Sequence, residues 1–179
     1  MTPETILNFW FKELSSEDHF KKSDELDKRI TAEFKEIHHK IALGETYMWR
    51  SSIQGRLAEI IVLDQFSRNM FRDTKEAFAY DNLALILAQE ALLQDDFNQL
   101  SIEEKAFIYM PFMHSESVVI HEKAVELFSE PGLENNLDFE HRHFDIIKKF
   151  GRYPHRNEIL GRVSTPEEIQ FLKEPNSSF

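Results

Sequence analysis

The chain contains no cysteine, which excludes disulfides, thiolate metal sites and cysteine nucleophiles together. Glycine is scarce, at five residues in 179. No glycine-rich phosphate loop and no Gly-x-Ser-x-Gly nucleophile elbow is present. A His-Glu-x-x-His zinc helix is absent too. The unbroken apolar run Leu83 to Ala88 falls far short of the roughly 20 residues that span a bilayer. The start, Met1-Thr2-Pro3-Glu4, has neither the basic residues nor the apolar core of a secretory signal. Excess positive charge is missing as well. A net charge of −11 argues against nucleic acid and against an anionic membrane surface as partners. A cytoplasmic protein is expected. No alternating β-branched run occurs, so sheet is not expected either.

What is abundant is phenylalanine, with sixteen copies, in a chain that is 41% hydrophobic and 30% charged. Large side chains packed between helices fit that composition. The fold expected is all-α, one helical domain over 1–179, with roughly eight helices and short connections that favour antiparallel neighbours. Thr2 and Pro3 read as an N-cap and first helical position. Ser23 caps an amphipathic helix that Gly44 ends, with Leu26, Ile30, Phe34, Ile37 and Ile41 at helical spacing. Further helices are expected over 55–69 and 75–93, and from the Ser101 capping box to Met110, where Pro111 interrupts. Others are expected over 115–128, from a cap at Asn136 or Asp138 to Phe150, and from the Thr165-Pro166-Glu167-Glu168 box onward. The tail 175–179 is expected to be poorly ordered.

The chemistry concentrates in 150–162, Phe-Gly-Arg-Tyr-Pro-His-Arg-Asn-Glu-Ile-Leu-Gly-Arg. Gly151 can end the preceding helix at positive φ, and Pro154 holds Tyr153 extended. Arginine and histidine are not turn residues, so their density in a short, stiff connection points to a site. From 141 to 162 six Lys or Arg residues face only two acids, an island opposed in sign to the whole chain. Lys148 and Lys149 are explained by the helix dipole. Arg152, His155 and Arg156 lie beyond it, and arginine offers the planar fork that carboxylate and phosphate accept. The plainer alternative is that these residues cap carbonyls or pair with Asp64 and Glu116.

Two apolar stripes carry polar residues at their centres. Leu57, Ile60, Ile61, Asp64 and Arg68 share one helix face, and Phe139, His143, Ile146, Ile147 and Phe150 share another. Asp64 four residues before Arg68 is the favourable order for a helical ion pair. It reads either as a partly buried structural pair or, with Asn69, as the lining of a pocket. His143 reads either as a hydrogen-bonded core histidine or as a functional one. Pro111-Phe112-Met113-His114-Ser115-Glu116 adds a helix start whose free backbone N–H groups favour anions. Ser115 and Glu116 suit a helix start without further purpose. His114 does not.

Leu63-Asp64-Gln65-Phe66-Ser67-Arg68-Asn69, Met113-His114-Ser115-Glu116 and the run from His143 to Arg162 together resemble the bacterial domain of unknown function 924. Phe9-Trp10-Phe11, Phe78-Ala79-Tyr80-Asp81 and the segment from Thr165 to Leu172 fit the same pattern, over nearly the whole chain. The resemblance implies stacked antiparallel helix pairs similar to tetratricopeptide-repeat proteins, although no 34-residue period is legible. It implies no activity. His121 stands where glutamine is usual, which sets it aside as an essential residue.

Two functional expectations follow. The first is a small anionic ligand, carboxylate or phosphate, bound where Asp64, Arg68, Asn69, His114, Glu116, His143, Arg152, His155, Arg156 and Asn157 converge. Arg152, Arg156 and His155 hold it, Asn157 orients it, and His114 or His143 donates a proton if there is chemistry. No metal or cofactor is expected. The second is a tetratricopeptide-like module that binds a protein or peptide without catalysis.

Overall fold

A computed structural model describes residues 1–178. Phe179, the end of the tail expected to be poorly ordered, lies outside them. Ser177 is buried and its hydroxyl donates to the Leu172 carbonyl at 3.2 Å, so the tail is tied down that far. Among the described residues every regular element is helical and no strand occurs. The described residues pack as two units, 1–72 with 76–111, and 73–75 with 112–178.

In the first unit, α1 (Pro3–Asn8) runs on into a π turn, Phe9–Glu13. Helix α2 (Asp24–Ala42) starts where Ser23 accepts from the Leu26 N–H, and Gly44 follows its end at φ 73°. The amphipathic spacing buries Leu26, Ile30, Phe34, Ile37 and Ile41 as expected. Helix α3 covers 53–70. It is α-helical over Ile53–Ile61, opens into a π turn over Val62–Phe66, and closes again over Ser67–Met70. A single turn, Tyr47–Ser51, precedes it so closely that a Cβ on Gly55 would stand 1.9 Å from the Trp49 carbonyl oxygen. Only glycine fits there.

The helix expected over 75–93 is two pieces, a 3-10 turn at Lys75–Phe78 and α4 (Asp81–Ala91). Alanine and leucine favour helix throughout this stretch, but the break at Tyr80 does not show in propensity. Helix α5 (Ile102–Met113) is not interrupted at Pro111. The proline falls in the last turn, where one backbone bond is lost and little helix remains to be bent. Helix α3 packs against α1 and α4, and its later turns pack against α2. The core of this unit is aromatic. Phe66 lies 4.9 Å from Phe34 and 5.8 Å edge-on to Phe9, with Trp10 at 5.6 Å. Each such ring withdrawn from water contributes about 1.5–3 kcal/mol.

In the second unit, α6 (Val118–Phe128) and α7 (Glu134–Phe150) pack together as a hairpin. Helix α7 begins ahead of the expected caps at Asn136 and Asp138, because Leu133 occupies the N-cap and is buried. Gly151 ends it at φ 69°, its N–H donating to the Ile147 carbonyl. The irregular stretch that follows contains one 3-10 turn, Pro154–Arg156. Helix α8 (Pro166–Phe171) then opens on the Thr165–Glu168 capping box.

A polar cluster around Tyr153 as candidate functional site

Helix α7 delivers the chain to Gly151, and Pro154 holds Tyr153 extended at φ −87°, ψ 106°. That conformation turns the Tyr153 ring inward, where it is 1% exposed. Three histidine rings surround it, His155 at 5.6 Å, His143 at 5.7 Å and His121 at 6.2 Å. The Arg156 guanidinium lies 4.6 Å over its face, and its Nη2 donates to the His114 carbonyl at 3.1 Å. The Tyr153 hydroxyl donates to the Met113 carbonyl at 2.5 Å and stands 3.2 Å from His121 Nε2.

Carboxylates fix the rest of the connection. Arg152 grips Glu168 with Nε and Nη2 at 2.7 and 2.8 Å, and also donates to the Val163 carbonyl. Asn157 donates to the same carboxylate at 3.2 Å. The hydrogen bonds from Arg152 hold the buried Glu168 carboxyl down at about 2, with the Thr165 N–H adding to the effect. Arg162 forks onto Glu116 at 2.7 and 3.0 Å, and the Tyr153 N–H donates to Glu116 at 2.7 Å. Burial works to raise the Glu116 carboxyl, and these donors overcome it, so it remains below its ordinary value.

His143 is buried in the stripe where the sequence puts it. Its Nδ1–H donates to the Phe139 carbonyl at 2.7 Å. Burial pushes its pKa down to about 3, with His114, His121 and His155 adding to the effect, so the ring is neutral at pH 7. In that state Nε2 carries the basic lone pair.

The second unit thus brings together His114, Glu116, His143, His155 and Arg156, with Arg152 and Asn157 joined at Glu168. Sequence reading passes over Glu140, Glu168, Arg162 as a ligand of Glu116, and His121. His121 and Glu140 are both fully buried, and His121 Nδ1 lies 2.6 Å from Glu140 Oε1. Glu140 falls on the same face as His143 and Ile147, the one sequence signal that could have found it.

In the first unit the π turn carries Asp64, which is buried and accepts from Gln65 at 2.6 Å. Arg68 donates to the Asp64 carbonyl at 2.7 Å and carboxylate at 3.3 Å, and forks onto Asp81 at 2.9 and 3.1 Å. Asn69 and Arg72 both bind Asp27. Ser67 and His38 meet at 2.8 Å, but the Ser67 proton goes to the Leu63 carbonyl at 2.6 Å. Burial lowers the His38 pKa to about 4. This buried contact fastens α2 to α3 and does not activate a nucleophile. Among the described residues no group of three or more His, Asp or Glu is placed to hold a metal ion. No helix among them is long and apolar enough to cross a membrane.

The profile of a bacterial protein family of unknown function (DUF924) matches residues 6–176. A solved structure of a protein of unknown function from Agrobacterium tumefaciens is similar along 97% of both chains, with 35% identity and a TM-score of 0.92. No curated protein matches the chain.

Proposed function

The chain belongs to the bacterial family of unknown function DUF924, and we propose that it binds a small anionic ligand, a carboxylate or a phosphate, in its second unit. The observation that carries this reading is the gathering of His121, His143, His155 and the Arg156 guanidinium on one buried tyrosine ring. Polar and cationic groups held in fixed rotamers make a recognition surface whose ordering is achieved before the ligand arrives. Arg156 and His155 supply the contacts to the anion in this reading. Arg152 and Asn157 act one step back, through Glu168, by fixing the backbone that presents them. Asp64, Arg68 and Asn69 lie in the first unit, where Arg68 binds Asp81 and Asn69 binds Asp27, and they take no part in this reading. If the site carries chemistry, His114 and His143 are the proton-handling groups. A neutral His143 committed at Nδ1 serves as an acceptor rather than as a donor. The same reading places the protein in the cytoplasm, among soluble metabolites.

Thermal-shift titration with acetate, sulfate and a series of mono- and dicarboxylates tests it. Stabilisation of the parent is expected, weakening with added salt and lost in Arg156→Ala and His155→Ala. Absence of stabilisation by every anion would favour the tetratricopeptide-like, peptide-binding reading instead.

A further inference from the structure

The His121–Glu140 pair stands apart from the arginine–carboxylate pairs because the pair as a whole carries a proton that can be lost. His121 Nε2 is 2.8 Å from the Ser115 carbonyl oxygen, which can only accept, so Nε2 bears a hydrogen. His121 Nδ1 faces Glu140 Oε1 at 2.6 Å, and one further proton lies between them. Two arrangements are open to that proton, imidazolium with carboxylate or imidazole with carboxylic acid. The second oxygen decides between them. Glu140 Oε2 is buried with no hydrogen-bond partner among the described residues. A carboxylate would leave half its charge there unsolvated, whereas a carboxylic acid leaves an ordinary carbonyl oxygen. Burial correspondingly raises the Glu140 carboxyl, against the pull of His121, His141 and Lys148.

We propose that Glu140 is a carboxylic acid whose proton, donated to His121 Nδ1, locks the Ser115–Glu116 segment and so keeps the anion site assembled. The lock runs from Glu140 on α7 through His121 on α6 to the Ser115 carbonyl, and His121 also touches the Tyr153 hydroxyl. Glu116, the next residue, holds the Tyr153 N–H and Arg162. Removal of the proton leaves a carboxylate oxygen facing the Nδ1 lone pair in a buried place, and the pair separates. The titratable groups near the lock are Tyr153 and His143, then His114 and His155 beside His143, with His141 and Lys148 acting on Glu140. This regulation rests on the anion-site reading, but the lock itself can be tested without it.

The pH dependence follows from counting protons on the pair. In the unfolded chain glutamate and histidine titrate near about 4.3 and about 6.5. Between those values the unfolded chain holds one proton on the two groups, as the folded pair does, so stability is flat. Below them the unfolded chain binds two and acid destabilises. Above about 6.5 the unfolded chain binds none, and the unfolding constant rises tenfold per pH unit while the folded pair keeps its proton.

Glu140→Gln keeps a donor to Nδ1, as an amide N–H, but has no proton to lose. With the amide N–H on Nδ1 the folded variant has no place for that proton, so its stability optimum should move to above about pH 6.5 and its alkaline limb should flatten by one proton. An alkaline limb identical to the parent's would overturn the proposal. So that a folding failure cannot decide the matter, infrared and imidazole ¹⁵N spectra of the parent give a second reading. A protonated-carboxyl band and an Nε2–H neutral His121 are expected, and a carboxylate with an imidazolium overturns the proposal. The gate is read by sulfate, whose charge is constant here. Its stabilisation should fade along the parent's alkaline limb and persist further in Glu140→Gln, and equal fading in both overturns the gating. If sulfate and acetate stabilise neither protein at any pH, the anion-site reading and the gating built on it fail, while the spectra still decide the lock.

Discussion

Asp64, Arg68 and Asp81 in the first unit and Glu116, Arg162 and Tyr153 in the second use the same arginine–carboxylate chemistry to opposite ends. Arg68 sits within a helix, where it forks onto Asp81 and reaches both the carbonyl and the carboxylate of Asp64 one turn earlier. There the helix holds the side chains. Arg162 and Glu116 bind the main chain of a residue outside any helix, through the Tyr153 carbonyl at 3.0 Å and the Tyr153 N–H at 2.7 Å. There the side chains supplement the isolated turn bonds of an irregular backbone. The difference predicts where an apolar substitute can stand in for an ion pair.

The largest expected effect is in the first cluster. Arg68→Ala removes the counter-charge of the buried Asp64 carboxylate, which keeps its bond from Gln65, and should cost about 3–5 kcal/mol in denaturant unfolding. Replacement of both partners, Arg68→Met with Asp64→Leu, should recover much of that loss, because no buried carboxylate then remains at position 64. An Arg68→Ala variant that unfolds like the parent would show that the pair is inert.

In the second cluster, Arg162→Ala should cost roughly 2 kcal/mol, the scale of lost hydrogen bonds to a charged group. Here the double replacement with Glu116→Leu should fail to recover stability, since the Tyr153 N–H and carbonyl then have lost two fitted partners. Recovery as complete as in the first cluster would erase the distinction.

The two clusters also differ in how much of them the sequence discloses. Asp64 and Arg68 are legible because a helix repeats every 3.6 residues, and spacing alone puts them together. Asp81 and Asp27 are not, because they come from other helices at no fixed interval. The second cluster is legible as composition, in the density of Arg, His and Asn between Gly151 and Gly161. Its partners Glu116 and Glu168 lie 46 and 16 residues away from the arginines they bind, and only tertiary packing selects them. Setting His121 aside for departing from a family pattern misses a residue that the fold buries at the centre of the unit. The fold follows the same rule. Helix ends written in local chemistry, at Ser23, Gly151 and Thr165, are found from sequence. The passage through Pro111 and the break before Asp81 depend on context and are not.

Acid gives a smaller, graded test. Glu168 titrates near 2 in the fold against an ordinary value of 4.5, so the unfolded chain takes up the proton first. Its contribution to stability is complete above the ordinary value and is lost as pH falls from about 4.5 towards about 2. Arg152→Ala removes the main cause of the depression and should shorten that acid limb, measured as the pH dependence of the thermal midpoint. An unchanged limb would mean that the Thr165 and Asn157 donors suffice.

The smallest effect expected separates capping from charge at the same carboxylate. Glu168 Oε2 accepts from the Thr165 N–H at 2.7 Å, and the Thr165 hydroxyl accepts from the Glu168 N–H at 3.2 Å, which closes the box that starts α8. Loss of the hydroxyl in Thr165→Ala removes only the second bond and should cost about 1 kcal/mol, the usual worth of such a cap. Thr165→Ser should restore most of it. The informative variant is Thr165→Ala combined with Arg152→Ala. A frayed α8 no longer holds Glu168 in the place where Arg152 grips it, so the two losses should overlap, with a coupling of at least about 0.5 kcal/mol. Strict additivity would mean that Arg152 organises Glu168 without help from the helix, and the second cluster would then resemble the first.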